Sequence, residues 1–138
     1  MGPSGDRGDG RRRAEAFGLA AERWAVLLLR AKGWRILERR LKTPLGEIDI
    51  VARRGRTVAF VEVKARPDLA AGMLALQPRQ RQRLQRAATL FLARRPRYAE
   101  GYDLRFDLVL IRPWRWPVHI ADAWQVDRVW HPRRDRAN

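Results

Sequence analysis

The sequence predicts an α/β domain whose elements run helix, strand, strand, strand, helix, strand, with a last short strand at the sheet edge. Three observations carry that prediction. Apolar residues recur at helical spacing over 14–32 and again over 79–94. Between those stretches, Gly46 to Lys64 alternates with the two-residue period of strands around a turn signal at Arg54-Gly55. Leu104 to Ile111 is a further strand-like run after the second helix. With 138 residues and no internal repeat, one domain over 14–126 is expected. The Gly-, Asp- and Arg-rich residues 1–13 have nothing to bury and are expected to be a disordered basic tail, with a second basic tail over 127–138.

The first helix places Ala16, Ala20, Trp24, Leu27, Leu28 and Ala31 on its main apolar face, and Gly33 just past its end as a C-terminal cap. A smaller stripe contains Gly18, Ala25, Val26 and Leu29, with Glu22 in its middle. A carboxylate there is either the exposed edge of an amphipathic helix or a group aimed into a cleft. Trp34 to Leu41 has the mixed polarity of an edge strand, and Thr43-Pro44-Leu45-Gly46 is a loop. In the hairpin that follows, Ile48, Ile50 and Ala52 share parity with one another and, across the turn, with Ala59, Val61 and Val63; these are expected to form one core face. The other parity set is Glu47, Asp49 and Val51 with Val58, Phe60, Glu62 and Lys64. A two-residue turn at Arg54-Gly55 would put Glu62 across from Glu47 and diagonal to Asp49. Residues 66–78 are expected to be a loop, and Arg79 to Arg94 a helix burying Leu84, Ala87, Ala88 and Phe91, with Gln80 extending that stripe. Val118 to Trp124 completes the sheet as an edge strand.

Thirty basic residues against fifteen acidic give a formal net charge of +15, almost all of it from arginine, since Lys32, Lys42 and Lys64 are the only lysines. A polyanion is the partner such an excess favours, and nucleic acid is the usual one. The absence of cysteine excludes disulfides and thiolate metal sites. No apolar run has the length of a membrane span or of a signal sequence, so no membrane association and a cytoplasmic location are expected. His119 and His131 have no partner at metal-ligand spacing. Trp114, Trp116, Trp124 and Trp130 suit either base stacking or the filling of a core edge or dimer contact.

Charged groups set among Val51, Val58 and Phe60 are costly to bury unless paired or bound to a metal. Carboxylates on rigid strands bind Mg²⁺ or Mn²⁺ through oxygen and leave room for water and phosphate. Asp49 and Glu62 fit that task, and the Val63 main-chain carbonyl could be another oxygen ligand. Lys64, two residues from Glu62, lies on the same strand face, where its ammonium could orient water or stabilise charge on phosphate. Glu22 could complete the site directly or through a water; Glu47 could join it or pair with an arginine.

The ordered set Gly18-x-x-Ala21-Glu22-x-x-Ala25, Gly33-Trp34-x-Ile36-Leu37, Gly46-Glu47-Ile48-Asp49, Phe60-Val61-Glu62-Val63-Lys64-x-Arg66 and Arg105-Phe106-Asp107 resembles the restriction-endonuclease-like superfamily, written PD-(D/E)xK. More closely it resembles the YraN family of small bacterial candidate endonucleases. The resemblance implies an α-β-β-β-α-β core with a mixed central sheet flanked by helices, similar to archaeal Holliday-junction resolvases. It implies Asp49 and Glu62 as metal ligands, Lys64 as the catalytic lysine and Glu22 as the first-helix acid. The function expected is a Mg²⁺- or Mn²⁺-dependent nuclease, with DNA before RNA as its substrate and selectivity for branched or damaged structures. A catalytically silent nucleic-acid-binding adaptor of the same fold is the alternative. Asp107 matches the pattern in a structural role. Where the family usually has a lysine opening the second long helix, Gln80 stands here, so charge toward nucleic acid would fall to Arg79 or Arg81, with Arg66 beyond the motif. A resolvase-like role would suggest a homodimer.

Overall fold

The structure is a computed structural model, and it describes residues 4–124. Its order is α1 (Ser4–Ala31), β1 (Arg35–Thr43), β2 (Gly46–Arg54), β3 (Thr57–Ala65), a short α2 (Leu69–Leu74), α3 (Pro78–Arg94), a 3-10 turn (Pro96–Tyr98), β4 (Asp103–Ile111) and β5 (Val118–Ile120). The five strands form one mixed sheet in the order β1-β2-β3-β4-β5. Consecutive strands pair antiparallel except β3 and β4, which are parallel. A parallel pair needs a crossover, and α2 with α3 supplies it. The restriction-endonuclease-like order expected above is borne out, with α2 added in the crossover. Among the described residues no helix is long and apolar enough to cross a membrane.

The sheet is covered on both faces. Ala25, Val26 and Leu29 of α1 pack with Trp34, Ile50, Ala52, Ala59, Val61 and Val109 on one side. Leu84, Ala87, Ala88, Phe91 and Leu92 of α3 pack with Val51, Val58, Phe60, Phe106 and Leu108 on the other. The predicted cap of α1 is a Schellman motif: Trp34 N–H donates to Leu29 O at 2.9 Å and Gly33 N–H to Arg30 O at 3.0 Å, with Gly33 at φ +89°. Trp34 and Leu29 then meet in the same core, the apolar contact that usually accompanies this motif.

Several expectations need correction. The helix begins at Ser4, so most of the stretch expected as a disordered tail is helical; past Pro3 no proline interrupts it, and each residue added to an existing helix costs only one further fixed backbone. The buried face of α1 is the smaller stripe from Glu22 onward, Glu22, Ala25, Val26 and Leu29, joined by Ala21 while Gly18 is exposed, whereas Trp24 and Leu27 are more than half exposed. Small residues let the helix lie close on the sheet, and the larger side chains are left at its flank. Residues 66–78 are not all loop, because Asp68 caps α2 by accepting the Ala71 N–H at 2.8 Å. The last strand stops at Ile120, and the tail 127–138, with Trp130 and His131, lies outside the described residues.

The hairpin turn is Gly55-Arg56, with Gly55 at φ +58°, and Arg54 pairs with Thr57. The register therefore differs by two residues from the one expected, and an even shift keeps every side chain on its face. Continued past the last pair, Ile50 with Val61, it sets Asp49 rather than Glu47 across from Glu62. Ile48 also departs from its parity set, packing with the α3-side core while Ile50 packs with the α1 side. Its partner Leu41 does the same. Between the Arg39–Ile50 and Leu41–Ile48 pairs both strands roll, β1 through the positive φ (52°) of Arg40. Asp49 sits on that roll, between the two faces.

The start of β2 passes directly beneath α3. A Cβ at Gly46, whose φ is +158°, would lie 3.0 Å from the Arg83 carbonyl oxygen, so glycine sets how closely the strand approaches the helix. Gly46→Ala is expected to lower stability by about 1–3 kcal/mol, read as a reduced urea midpoint with an unchanged slope.

Candidate metal centre and its cleft

The β2–β3 ladder ends at Ile50 and Val61 although both strands continue, so β3 backbone groups beyond that point need other partners. Asp49 supplies one: its Oδ2 accepts the Val63 N–H at 2.8 Å. In an extended strand a residue's N–H and C=O point to the same edge. The Val63 carbonyl thus faces the same gap. Glu62, only 6% exposed, accepts from Gln80 Nε2 at 2.8 Å through Oε1, and Lys64 Nζ lies 3.2 Å from that same oxygen. Glu62 and Asp49 lie close enough for their charges to act on one another.

The electrostatics follow from that crowding. Burial, then the neighbouring Asp49 charge, push the Glu62 carboxyl up to about 7, against the pull of Lys64. Burial likewise raises Asp49, while the Val63 N–H and the Lys64 ammonium act the other way. Two carboxylates set this close resist ionising together, and a bound cation would relieve the same repulsion.

A cleft of about 470 Å³ opens over this pair, lined by Gly46, Glu47, Asp49 and Glu62 from the sheet and by Arg79, Gln80 and Arg83 from α3. On the α1 face a smaller cavity of about 280 Å³ is lined by Glu22, Arg40, Lys42, Glu47 and Asp49. Asp49 and Glu47 border both, which is the consequence of the roll in β2. Glu22 is 7% exposed, with Arg40 Nε 3.2 Å from Oε2 and Arg39 Nε 3.6 Å from Oε1. Its Oε1 is buried without a hydrogen-bond partner. Burial raises its carboxyl despite the two arginines, and the Asp49 charge adds to the effect.

Asp49, Glu62, Val63, Lys64 and Gln80 are therefore brought together as the sequence suggested, with Glu22 one cavity away. Among the described residues, no three His, Asp or Glu side chains gather closely enough to form a metal-binding group by themselves. Arg79 lines the cleft. Arg81 does not: its Nε donates to the Leu76 carbonyl at 2.9 Å and ties α3 to the preceding loop. Arg66 is exposed beyond β3, where its N–H donates to Ile111 O at 3.1 Å. Arg83 lines the cleft as well: it belongs to the basic flank that the helical spacing of Arg79, Arg81, Arg83 and Arg86 predicts, although it was not expected among the site residues.

The second omission is a buried polar cluster on the opposite face of the sheet from Glu62. Asp107, fully buried, accepts from Arg105 Nε and Nη2 at 2.8 and 2.9 Å and from the Asp122 N–H at 2.9 Å; His119 Nε2 lies 2.7 Å from Oδ2. Lys32 Nζ stands 2.6 Å from His119 Nδ1, and the Arg54 and Arg105 guanidiniums lie over the Trp34 ring. His119, which has no partner at metal-ligand spacing in the sequence, thus bridges the end of α1 to β4. No spacing rule could have shown it, because the contact depends on the β4–β5 register, Val109 with His119.

A family model described as "Uncharacterised protein family UPF0102" matches residues 21–111. The chain belongs to this family. The resemblance to YraN proteins is borne out. A UPF0102 protein of Parvibaculum lavamentivorans is 61% identical over 112 residues, covering 81% of this chain and 84% of the relative. One of Paramagnetospirillum magneticum is 52% identical, covering 83% and 91%, and one of Methylorubrum extorquens is 48% identical, covering 92% and 98%. The match in this UPF0102 protein spans both polar centres, from Glu22 to Asp107.

The two centres differ in how fully their charge is compensated. Burial alone would raise the Asp107 carboxyl, but the bonds from His119, Arg105 and the Asp122 N–H outweigh it and hold it below the usual carboxylate range. A depressed carboxyl stabilises the fold above its unfolded value and loses that contribution as pH falls through the folded one. Acid unfolding monitored by circular dichroism is therefore expected to steepen below about pH 4. Asp107→Ala should remove that component and cost about 3–5 kcal/mol at neutral pH, since it leaves Arg105 half-buried and unpaired.

Proposed function

We propose that this protein is a Mg²⁺- or Mn²⁺-dependent nuclease that hydrolyses phosphodiester bonds in nucleic acid, DNA rather than RNA, and acts in the cytoplasm. The observation that carries the reading is the Asp49–Glu62 pair, opposed at the end of a broken strand ladder with Lys64 3.2 Å from Glu62 and arginines along the cleft wall. Asp49, Glu62 and the Val63 carbonyl would hold the cation, and Glu22, with a buried oxygen lacking a hydrogen-bond partner, would reach it through water across the smaller cavity. These are oxygen donors only, which suits a hard divalent ion. Such an ion supplies charge neutralisation at phosphorus and water activation near neutral pH.

The chain's own residues divide the rest of the work. Gln80 fixes the Glu62 rotamer by its 2.8 Å bond. Lys64 brings a positive charge to where a phosphate oxygen would gain charge. Arg79 and Arg83 offer planar, bidentate donors to the phosphates on either side of the scissile bond. A catalytically silent adaptor is the competing reading, favoured by the internal bonds that Glu62 already makes to Lys64 and Gln80.

A panel of labelled branched, nicked and single-stranded DNA incubated with Mg²⁺ or Mn²⁺ separates the two. Cleavage is expected with the parent, and Asp49→Ala or Glu62→Ala should reduce it by more than about 100-fold while salt-sensitive DNA binding persists. Cleavage that survives either substitution, or excess chelator, would overturn the nuclease reading. Binding without cleavage on every substrate would establish the adaptor.

A further inference from the structure

The chain beyond β4 carries a surface that the proposed chemistry does not use. Trp114 is 103% and Trp116 83% exposed, and Trp24 of α1 is 54% exposed. With Ile111, Arg112 and Arg115 they line a groove of about 530 Å³. A buried tryptophan removes roughly 150–250 Å² from water, so three left in solvent on one surface mark an interaction site. The loop holds a definite shape: Arg112 Nη2 donates to the Trp116 carbonyl at 3.2 Å, and Trp114 takes a positive φ of 57° that a bulky side chain rarely adopts.

We propose that this groove binds an unpaired segment of a nucleic-acid strand, its bases stacked on Trp114, Trp116 and Trp24 and its phosphates on Arg112 and Arg115. The inference deepens the nuclease reading and rests on it only for the name of the reaction that follows. Three observations select this occupant. The described lining contains two arginines and no carboxylate, so it complements a polyanion. A second copy docked by two-fold symmetry on this groove would gather four arginines and no carboxylate from the two linings into one interface, a like-charge concentration that costs affinity. The surface is also concave, which admits a thin chain better than a flat bilayer.

Its position relative to the metal centre is the further argument. Ile111 at the groove pairs with Ala65, the residue after Lys64, and its carbonyl takes the Arg66 N–H. Arg66 therefore stands between the two surfaces, at the same end of the sheet. On α1, Glu22 and Trp24 are two residues apart, about 200° around the helix. One borders the acidic cavity and the other the aromatic groove. A strand held at the groove would pass round this end of the sheet, by Arg66, to reach Lys64 on the other face, and a substrate with an unpaired segment would engage both.

The test uses the full-length protein in excess chelator with an uncut oligothymidylate and a duplex of equal length. Single-strand binding is expected to quench tryptophan fluorescence. Trp114→Ala/Trp116→Ala should weaken it about tenfold or more, with duplex affinity retained and with Trp114→Phe/Trp116→Phe restoring most of the loss. Unchanged single-strand affinity, an equal loss on duplex, or no recovery with phenylalanine would overturn the proposal. So would a loss of self-association in sedimentation, or of binding to anionic phosphatidylserine vesicles, with DNA binding unaltered, since the occupant would then be a second copy or a membrane. Chelator keeps the measurement independent of hydrolysis: a protein that stacks single strands but never cuts would overturn the nuclease reading alone.

Discussion

The hydrogen bond from the Val63 N–H to Asp49 is the contact on which the polar half of this molecule depends. A β-ladder normally satisfies such groups strand to strand, and here it stops four residues before the end of β3. Without a substitute acceptor, the backbone there would be buried unpaired, at a cost comparable to a lost hydrogen bond. Asp49 gives the acceptor from a side chain instead of a main chain, and that exchange leaves a gap between the strands. The gap brings Asp49 opposite Glu62 and turns the Val63 carbonyl toward both. The roll at Arg40 and Asp49 is the other half of the same feature, since it lets a single carboxylate border cavities on both faces.

The two buried acid centres show what distinguishes a candidate site from a structural one. Asp107 receives enough donors to outweigh its burial and stays ionised. Asp49 and Glu62 face each other, and one lysine cannot offset both burial and mutual repulsion, so their carboxyls are raised. In a chain with a net charge of +15 this is conspicuous, because thirty basic residues could have neutralised the pair. Arginines instead stand along the walls, at Arg79, Arg83 and Arg40, with room left between. A pair of acids kept under-compensated amid abundant cations is an arrangement suited to an incoming positive ion.

What the sequence made legible was whatever depends on local period. The Gly33 cap, the Leu84–Phe91 stripe and the grouping of Asp49, Glu62 and Lys64 all follow from spacing within one element or from strand parity. Parity is unchanged by a two-residue slip, which is why the charged face was right although the turn was placed one residue early and Glu47 was set opposite Glu62. The choice of buried stripe on α1 was not legible, because Trp24 and Leu27 outweigh Ala21 and Ala25 by size while the close fit to the sheet favours the small ones. The His119–Asp107 contact was hidden for another reason: it is fixed by a register between strands that no single-strand pattern encodes.

Gln80 joins these threads. Its position over Glu62 is set by the docking of α3 on β2, which is tight at Gly46, where the strand passes under the Arg83 carbonyl. A lysine at 80 would place a second ammonium beside Lys64 and neutralise Glu62 more fully. Glutamine can donate to the same oxygen without adding charge. It thus fixes the carboxylate while leaving the acidic pair under-compensated, and the positive charge that a phosphate would meet moves out to Arg79 and Arg83 on the cleft wall. On the proposed nuclease reading, glutamine at 80 therefore separates two tasks that a lysine there would combine: holding the acid in place, and attracting the anion.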